Sequence, residues 1–384
     1  MLNGIDALTG KSNFDISESI ILRLLDLFSS YRGTLAMLCK TAIARNIVQI
    51  FREKNYRVAS LRALKIDAPS EFGAAVDACL FVMELGAANA ERICRVASLE
   101  NPANVMRVYG WSQDKFVSDV NRYLKNCELD GESPLVWRQG IKHDGASVME
   151  LNVENEETRN GLGDVVQVEE ENLYWLFKSS DLRTFNAGPP TKKIIVTQTR
   201  IGQSTAHLKT TAPKLWRYLQ KHAEQFEKRK SSIYRSKPRF SIFGIGDYSF
   251  TLYKVAISGF YKEPNFTLVG PIDNRPVMLD DTCYFVGFAN YRDALLTATL
   301  LNSEPVKEFL SAIVFTDSKR PYTKEILMRI DLARAAELLS LEMLSDFWKR
   351  VGYQPQTVVT ESDLADFKNK LSSPKVTHQL QLAI

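Results

Sequence analysis

Trp137-Arg-Gln-Gly-Ile-Lys-His-Asp144 places Arg138, Lys142, His143 and Asp144 in one turn beside two glycines, Gly140 and Gly145. An imidazole next to a carboxylate suits general acid–base work, and the glycines would let a ligand approach the backbone closely. No Ser or Cys nucleophile stands at a companion site, so the loop reads as a hydrogen-bonding element rather than a catalytic one. Phe177-Lys178-Ser179-Ser180-Asp181 follows an apolar stretch containing Tyr174 and Trp175. Its donors suit phosphates or base edges, and equally a helix N-cap and turn. Asp317-Ser-Lys319 is half of a carboxylate–lysine nuclease motif, which would also need an upstream acid on a neighbouring strand. Lys319-Arg320-Pro-Tyr322 reads better as a basic, aromatic-flanked loop for phosphates. Gly244-Ile-Gly246 is followed by the alternating pattern SFTLYKVAIS instead of a helix, so it reads as strand–turn–strand with Asp247 and Tyr248 at an exposed tip.

Charge points to the partner. Between Arg183 and Lys262 there are sixteen Lys or Arg against three acids, a local charge of +13 in a chain whose net charge is +4. The rest of the chain is therefore acidic, and the basic segment is interleaved with Trp216, Tyr218, Tyr234, Phe240 and Phe243. Such a segment is the footprint of a polyanion-binding face, with nucleic acid the leading partner; a solvated basic surface is the alternative. The five cysteines form no CxxC pair, and the four histidines have neither i,i+4 pairing nor a cysteine at ligand spacing, which argues against a metal site. No secretory signal or long apolar span is evident, so a cytoplasmic location is expected.

The elements that must position these residues fall into two parts. Helical spacing over Ser17–Phe28 and Ala42–Lys54 brackets the apolar run Gly33–Cys39, and two further runs follow at Val58–Ile66 and Ala78–Leu85. Unalternating apolar strands suggest a sheet covered on both faces. A glycine-rich turn after an opening strand, as in doubly wound nucleotide-binding sheets, is missing. Beyond Glu132 short β-rich pieces dominate, including Leu135–Gln139, Val165–Val168, Lys193–Gln198, Phe240–Gly244, Ser249–Ser258 and Thr282–Phe288. Helices are expected at Asp114–Lys125, Pro213–Lys228, Tyr291–Leu301, Pro305–Ala312, Tyr322–Val351 and Glu361–Leu371.

WRQGIKHDGASVMEL (137–151), NGLGDVVQVE (160–169), LFKSSDL (176–182), VTQTRIGQST (196–205), KRKSSIY (228–234), FGIGDYSF (243–250), DDTCYF (280–285) and LLNSEPV (300–306) keep their order along the chain. Together they resemble the target-recognition half of the gamma-class adenine-N6 DNA methyltransferases of restriction-modification systems. GKSNFDISE (10–18), AMLCKT (36–41) and the loop around Phe72 resemble the segments that follow the catalytic motif in those enzymes. The resemblance implies an α/β chain: residues 1–130 as the trailing half of a Rossmann-like methyltransferase sheet, then 131–384 as an α+β target-recognition domain with a helical C-terminus.

It also implies duplex DNA as partner and S-adenosylmethionine as the family's methyl donor. Phe72 falls where the family carries an aromatic that stacks on the flipped-out adenine, against a plain core role. Lys192, Lys193, Arg217, Lys228, Arg229, Lys230, Arg235, Lys237 and Arg239 are expected at phosphates, with Lys319 and Arg320; Lys142, His143, Lys178, Ser179 and Ser180 are candidates for more specific contacts. The chain departs from the family in lacking the glycine-rich turn and the Asn/Asp-Pro-Pro-aromatic loop that readies the adenine N6. Asn101-Pro-Ala, Ser133-Pro-Leu and Gly188-Pro-Pro-Thr do not supply it. The expectation is the carboxy-terminal, DNA-recognition part of the enzyme, inactive alone, either with the cofactor strands supplied by another polypeptide or as a fragment that is not a competent enzyme. The alternative is a non-catalytic specificity subunit working with a partner methyltransferase chain.

Overall fold

A computed structural model describes residues 15–86, 91–155 and 157–372. Residues 10–14 of the GKSNFDISE segment lie outside that range. The chain divides into two units: one takes it up to Cys127 and adds Glu308–Pro321, the other takes Glu128–Lys307 and the chain from Tyr322 on. The division falls just before the expected 130/131, and the fourteen residues from Glu308 to Pro321, which carry Lys319 and Arg320, join the first unit.

In the first unit, helix α1 (Ile16–Phe28) starts on Asp15, whose carboxylate accepts from the Ser17 amide. It turns Ile21, Leu22 and Leu25 into the core. Strand β1 (Gly33–Lys40), helix α2 (Thr41–Ile50), strand β2 (Val58–Ile66), the short helix α3 (Ala68–Phe72) and strand β3 (Ala78–Leu85) follow. A hairpin of β4 (Ile93–Ser98) and β5 (Arg107–Ser112), then β6 (Lys115–Val117), completes one sheet of order β1-β3-β2-β4-β5-β6. β3 lies antiparallel between β1 and β2, so β1 and β2 run the same way; β2 and β4 form the one parallel pair of this sheet. One face packs Cys39, Ala63, Cys79, Phe81, Cys94 and Val96 against α1 and α2. The other carries only a small cluster, Leu64, Val82 and Ala97 with Leu80 against it. Coverage of both faces holds for the middle of the sheet and not for β1, whose outward residues Thr34, Ala36 and Leu38 are exposed. Among the described residues no helix is long and apolar enough to cross a membrane.

The second unit holds two sheets. Strands β7 (Arg138–Gln139), β8 (Glu150–Glu154), β9 (Glu157–Asn160), β10 (Leu173–Phe177), β11 (Lys192–Ile195), β12 (Tyr253–Ser258), β13 (Phe266–Val269), β14 (Met278–Leu279) and β15 (Cys283–Phe288) arrange as β14-β10-β11-β8-β9 and β13-β12-β15-β7. Helix α5 (Pro213–Lys221) packs Leu215 and Leu219 into the core of the first of these sheets. Its free N-terminal amides, Lys214 and Leu215, donate to the Glu169 carboxylate at 2.9 and 2.8 Å, an acid well placed against the helix dipole. Helix α6 (Ala223–Glu227) follows, and α7 (Tyr291–Leu301) is buried along most of its length.

Several expected elements differ. Asp114–Lys125 is strand β6 and then helix α4 (Val120–Asn126), because Asp119 caps the helix at the Arg122 amide. Val165–Val168 and Phe240–Gly244 make isolated bridges instead of strands. Tyr322–Val351 is broken into three helices, two of them started by Asp331 and Ser340 caps. After Gly246 the chain makes a 3-10 turn, Asp247–Phe250, before β12. Tyr248 is not at an exposed tip: it packs on Phe285, 6.0 Å between ring centres, beneath the Arg138 guanidinium.

Candidate nucleic-acid interface

In the second unit, strand ends converge on two buried carboxylates. Glu150 opens β8 and is 6% exposed; Asp280, just past β14, is 4% exposed. The Lys178 ammonium, just past β10, donates to both Glu150 oxygens at 2.8 and 3.0 Å and stands 3.7 Å from Asp280. Lys192 Nζ reaches Glu150 Oε2 at 3.3 Å, and His143 Nε2 lies 3.4 Å from Glu150 Oε1. Burial alone would raise the Glu150 pKa, but the hydrogen bonds and charges of His143 and Lys178 outweigh it and hold the carboxyl at about 2. For Asp280 burial prevails and the pKa is raised, despite hydrogen bonds from Thr282.

The structure gives the expected contact residues different roles. His143 is buried; its Nδ1 accepts from the Gly145 amide at 3.2 Å, so it braces the loop it sits in. Ser179 is buried too, bonded to Thr282 Oγ1 at 2.7 Å, and its amide bonds the same oxygen. Lys142 is half-buried and pairs with Asp144 at 2.7 Å; Ser180 is exposed. Gly140 and Gly244 admit close approach of the protein's own backbone: a Cβ on Gly140 would overlap the Leu279 and Asp280 carbonyls, and one on Gly244 the Gly140 carbonyl.

The basic segment also sorts into two kinds of cation. Arg229, half-buried, donates to the carbonyls of Ser241 (2.7 Å), Arg239 (2.6 Å), Phe226 (3.1 Å) and His143 (3.4 Å) and stacks 3.8 Å over the Tyr234 ring. Four of its five N–H donors are thereby taken up by the protein's own carbonyls, which makes it a tie between loops. Arg239 pairs with Glu227, Lys193 with Glu170 while lying over Trp175, and Arg217 donates to its own helix at Pro213. Lys228, Lys230, Arg235 and Lys237 are exposed, and none has an ion-pair partner among the described residues. Four unneutralised cations within ten residues form an arm that Arg229 and Tyr234 hold in shape.

In the first unit, Phe72 sits at the end of α3, on a turn closed at both ends: Asp67 accepts from the Ser70 amide, and Gly73 ends the helix at φ +63°. Its ring is 57% exposed, which removes the plain core role. The turn stands where β2 ends and β3 begins, and the Thr41 amide after β1 bonds Asp77 O at 3.0 Å. In open α/β sheets this carboxyl edge is where ligands gather. The nearby depression lined by Thr41, Arg45, Lys65, Arg107, Tyr109 and Asp317 has a volume of about 20 Å³, roughly one water, far below the several hundred Å³ of a cofactor pocket. The β1–α2 turn carries no glycine and no side-chain cap. These residues do not fit S-adenosylmethionine. Asp317, the acid of the nuclease half-motif, is paired with Arg45 and accepts from Thr41, and no group of three metal-ligating side chains stands together among the described residues.

The fold is similar to that of a solved structure, the type IIL restriction-modification enzyme MmeI in complex with DNA, which covers 97% of this chain at a TM-score of 0.51 and 11% identity. This chain spans half the length of that protein. No protein-family model matches the chain. A Nostoc sp. (strain ATCC 29411 / PCC 7524) protein, the type II methyltransferase M.NspV, is 40% identical over 339 residues, 88% of this chain and 70% of the relative. The chain belongs to the type II methyltransferases.

Proposed function

We propose that this chain is the DNA-reading and base-holding part of a site-specific adenine-N6 DNA methyltransferase that takes its methyl group from S-adenosylmethionine, and that it is inactive without further polypeptide. Its β1–β3 region is the trailing part of the methyltransferase sheet. The observation that carries the reading is the arm Lys228, Lys230, Arg235 and Lys237, four exposed cations without acidic partners. Each neutralises a phosphate and releases its counterion. Beside this non-selective grip, Lys178 and Lys192, held by Glu150, present aimed donors to base edges, where guanine offers N7 and O6. Phe72 offers an open ring face to an extruded base.

The test is the salt dependence of duplex binding. Changing Lys230, Arg235 and Lys237 together to Ala is expected to lower the slope of log K against log salt by roughly 0.9 per contact, about 2.7 in all. Arg229 stays untouched, because its loss would loosen the arm itself. An unchanged slope would sink the assignment. Phe72→Ala is expected to weaken binding to duplex carrying 2-aminopurine at the target adenine by about tenfold, as one lost base–aromatic stack should. Thermal stability should not move, since the ring is exposed, and Phe72→Tyr should restore binding.

A further inference from the structure

Among the described residues of the second unit four arginines are half-buried: Arg138, Arg229, Arg275 and Arg329. Three of them are bonded to the protein itself. Arg229 ties the carbonyls already described, Arg275 donates to those of Glu170 and Glu171 while stacked 4.4 Å over Tyr174, and Arg329 grips the Asp130 carboxylate. Arg138 is different. Its guanidinium lies 4.9 Å over the Tyr248 ring, and among the described residues no carbonyl or carboxylate takes a hydrogen bond from it.

The ring beneath it is fixed. Arg138 stands in β7 opposite Phe285 of β15, and the same Phe285 supports Tyr248. The Ser249 amide closes the turn on the Gly246 carbonyl at 2.8 Å, and a Cβ on Gly246 would stand 2.6 Å from the Tyr248 ring, so glycine lets the ring lie close to the chain. The reciprocal Lys142–Phe243 bonds join this turn to the loop that follows Arg138. Asp247, the acid of the turn, makes no ion pair with Arg138 among the described residues. Withdrawing a cation from water without a partner costs free energy, while a planar fork held flat on a ring loses little entropy when it binds. An arginine placed so is prepared for a ligand.

We infer that Arg138, on its Tyr248 platform, is a specificity-determining residue that reads the major-groove edge of a guanine in the bound duplex. The inference deepens the proposed function and rests on its duplex-DNA reading. Guanine sets N7 and O6 side by side, which matches two parallel N–H groups of a guanidinium and not the single point charge of a lysine. A phosphate would accept the same fork but carries no sequence. The two sources differ in what they do to base preference and to salt dependence.

The test selects duplexes bound by the 384-residue chain from a pool with a randomised centre. Wild type is expected to fix guanine at a defined position, and 7-deazaguanine there, which lacks the N7 acceptor, should weaken binding by about tenfold or more. Arg138→Gln should lose that preference, become indifferent to 7-deazaguanine and keep the wild-type salt slope. Arg138→Lys keeps the charge without the fork and should relax the same position, as should Tyr248→Leu, which removes the platform; circular dichroism checks that each variant is folded. The 7-deazaguanine arm on wild type needs no variant. No guanine position sensitive to the modified base, variants that keep every preference, or a slope lowered by about 0.9 with preferences intact, which puts the guanidinium on a phosphate, would each overturn the inference. Duplex binding that survives those failures leaves the proposed function standing, whereas a wild-type chain that binds no duplex removes both.

Discussion

Glu150→Ala is expected to destabilise the second unit by about 3–5 kcal/mol, the cost of deleting one partner from a buried ionic cluster, and to lower its melting temperature by roughly 10 °C. Lys178 would be left facing Asp280 alone, Lys192 and His143 would lose their acceptor, and each would have to be rehydrated. The pH dependence carries the sign. Glu150 is held at about 2 against an ordinary 4.5, so its contribution is present above about 4.5 and is lost as pH falls towards 2. The gap between wild type and variant should therefore be full at neutral pH and shrink through that window. Thermal unfolding by circular dichroism across pH checks both; a shift below about 2 °C at neutral pH would mean the cluster stabilises little.

Gly244→Ala is expected to cost about as much, on the order of 4 kcal/mol, from a single added methyl group. Gly244 has φ +66°, where an alanine is strained, and the new Cβ would overlap the Gly140 carbonyl. The strain cannot relax locally, because the flanking bridge bonds Lys142 to Phe243 in both directions at 2.9 Å and Gly140 is itself pressed on Leu279. Gly163→Ala is the control: its φ is also positive, but nothing lies within 4 Å of the added carbon, so it should cost about 1 kcal/mol. Equal losses in the two variants, measured by denaturant unfolding, would show that backbone conformation and not the contact decides.

Periodicity made much of the first unit legible. β2 and β3 fall on the expected Val58–Ile66 and Ala78–Leu85, and in the second unit α7 falls on Tyr291–Leu301, because long apolar runs and a clean helical stripe leave little choice of element. The β4–β5 hairpin was not legible: Arg95, Arg107 and Gly110 interrupt its pattern, and it joins the sheet only through the pairing of β4 with β2. Glu150 was missed for a related reason. The acid in VMEL looks like an ordinary strand start until the fold brings Lys178, just past β10, and Lys192, at the start of β11, to its oxygens. In KRK (228–230) the three cations look alike, and only the carbonyls around Arg229 separate the tie from its exposed neighbours.

The return of Glu308–Pro321 to the first unit governs the order in which the protein can be assembled. Phe315 stacks on Phe116 at 5.5 Å and meets Tyr109 edge-on at 5.8 Å, while the Ser118 and Asp119 amides bond the Ala312 carbonyl. During synthesis β5 and β6 leave the ribosome long before these residues exist, so their aromatic side stays wet until most of the second unit has emerged. A fragment cut after Cys127 inherits the same gap, and the two units are separable only by three cuts, as four pieces of chain.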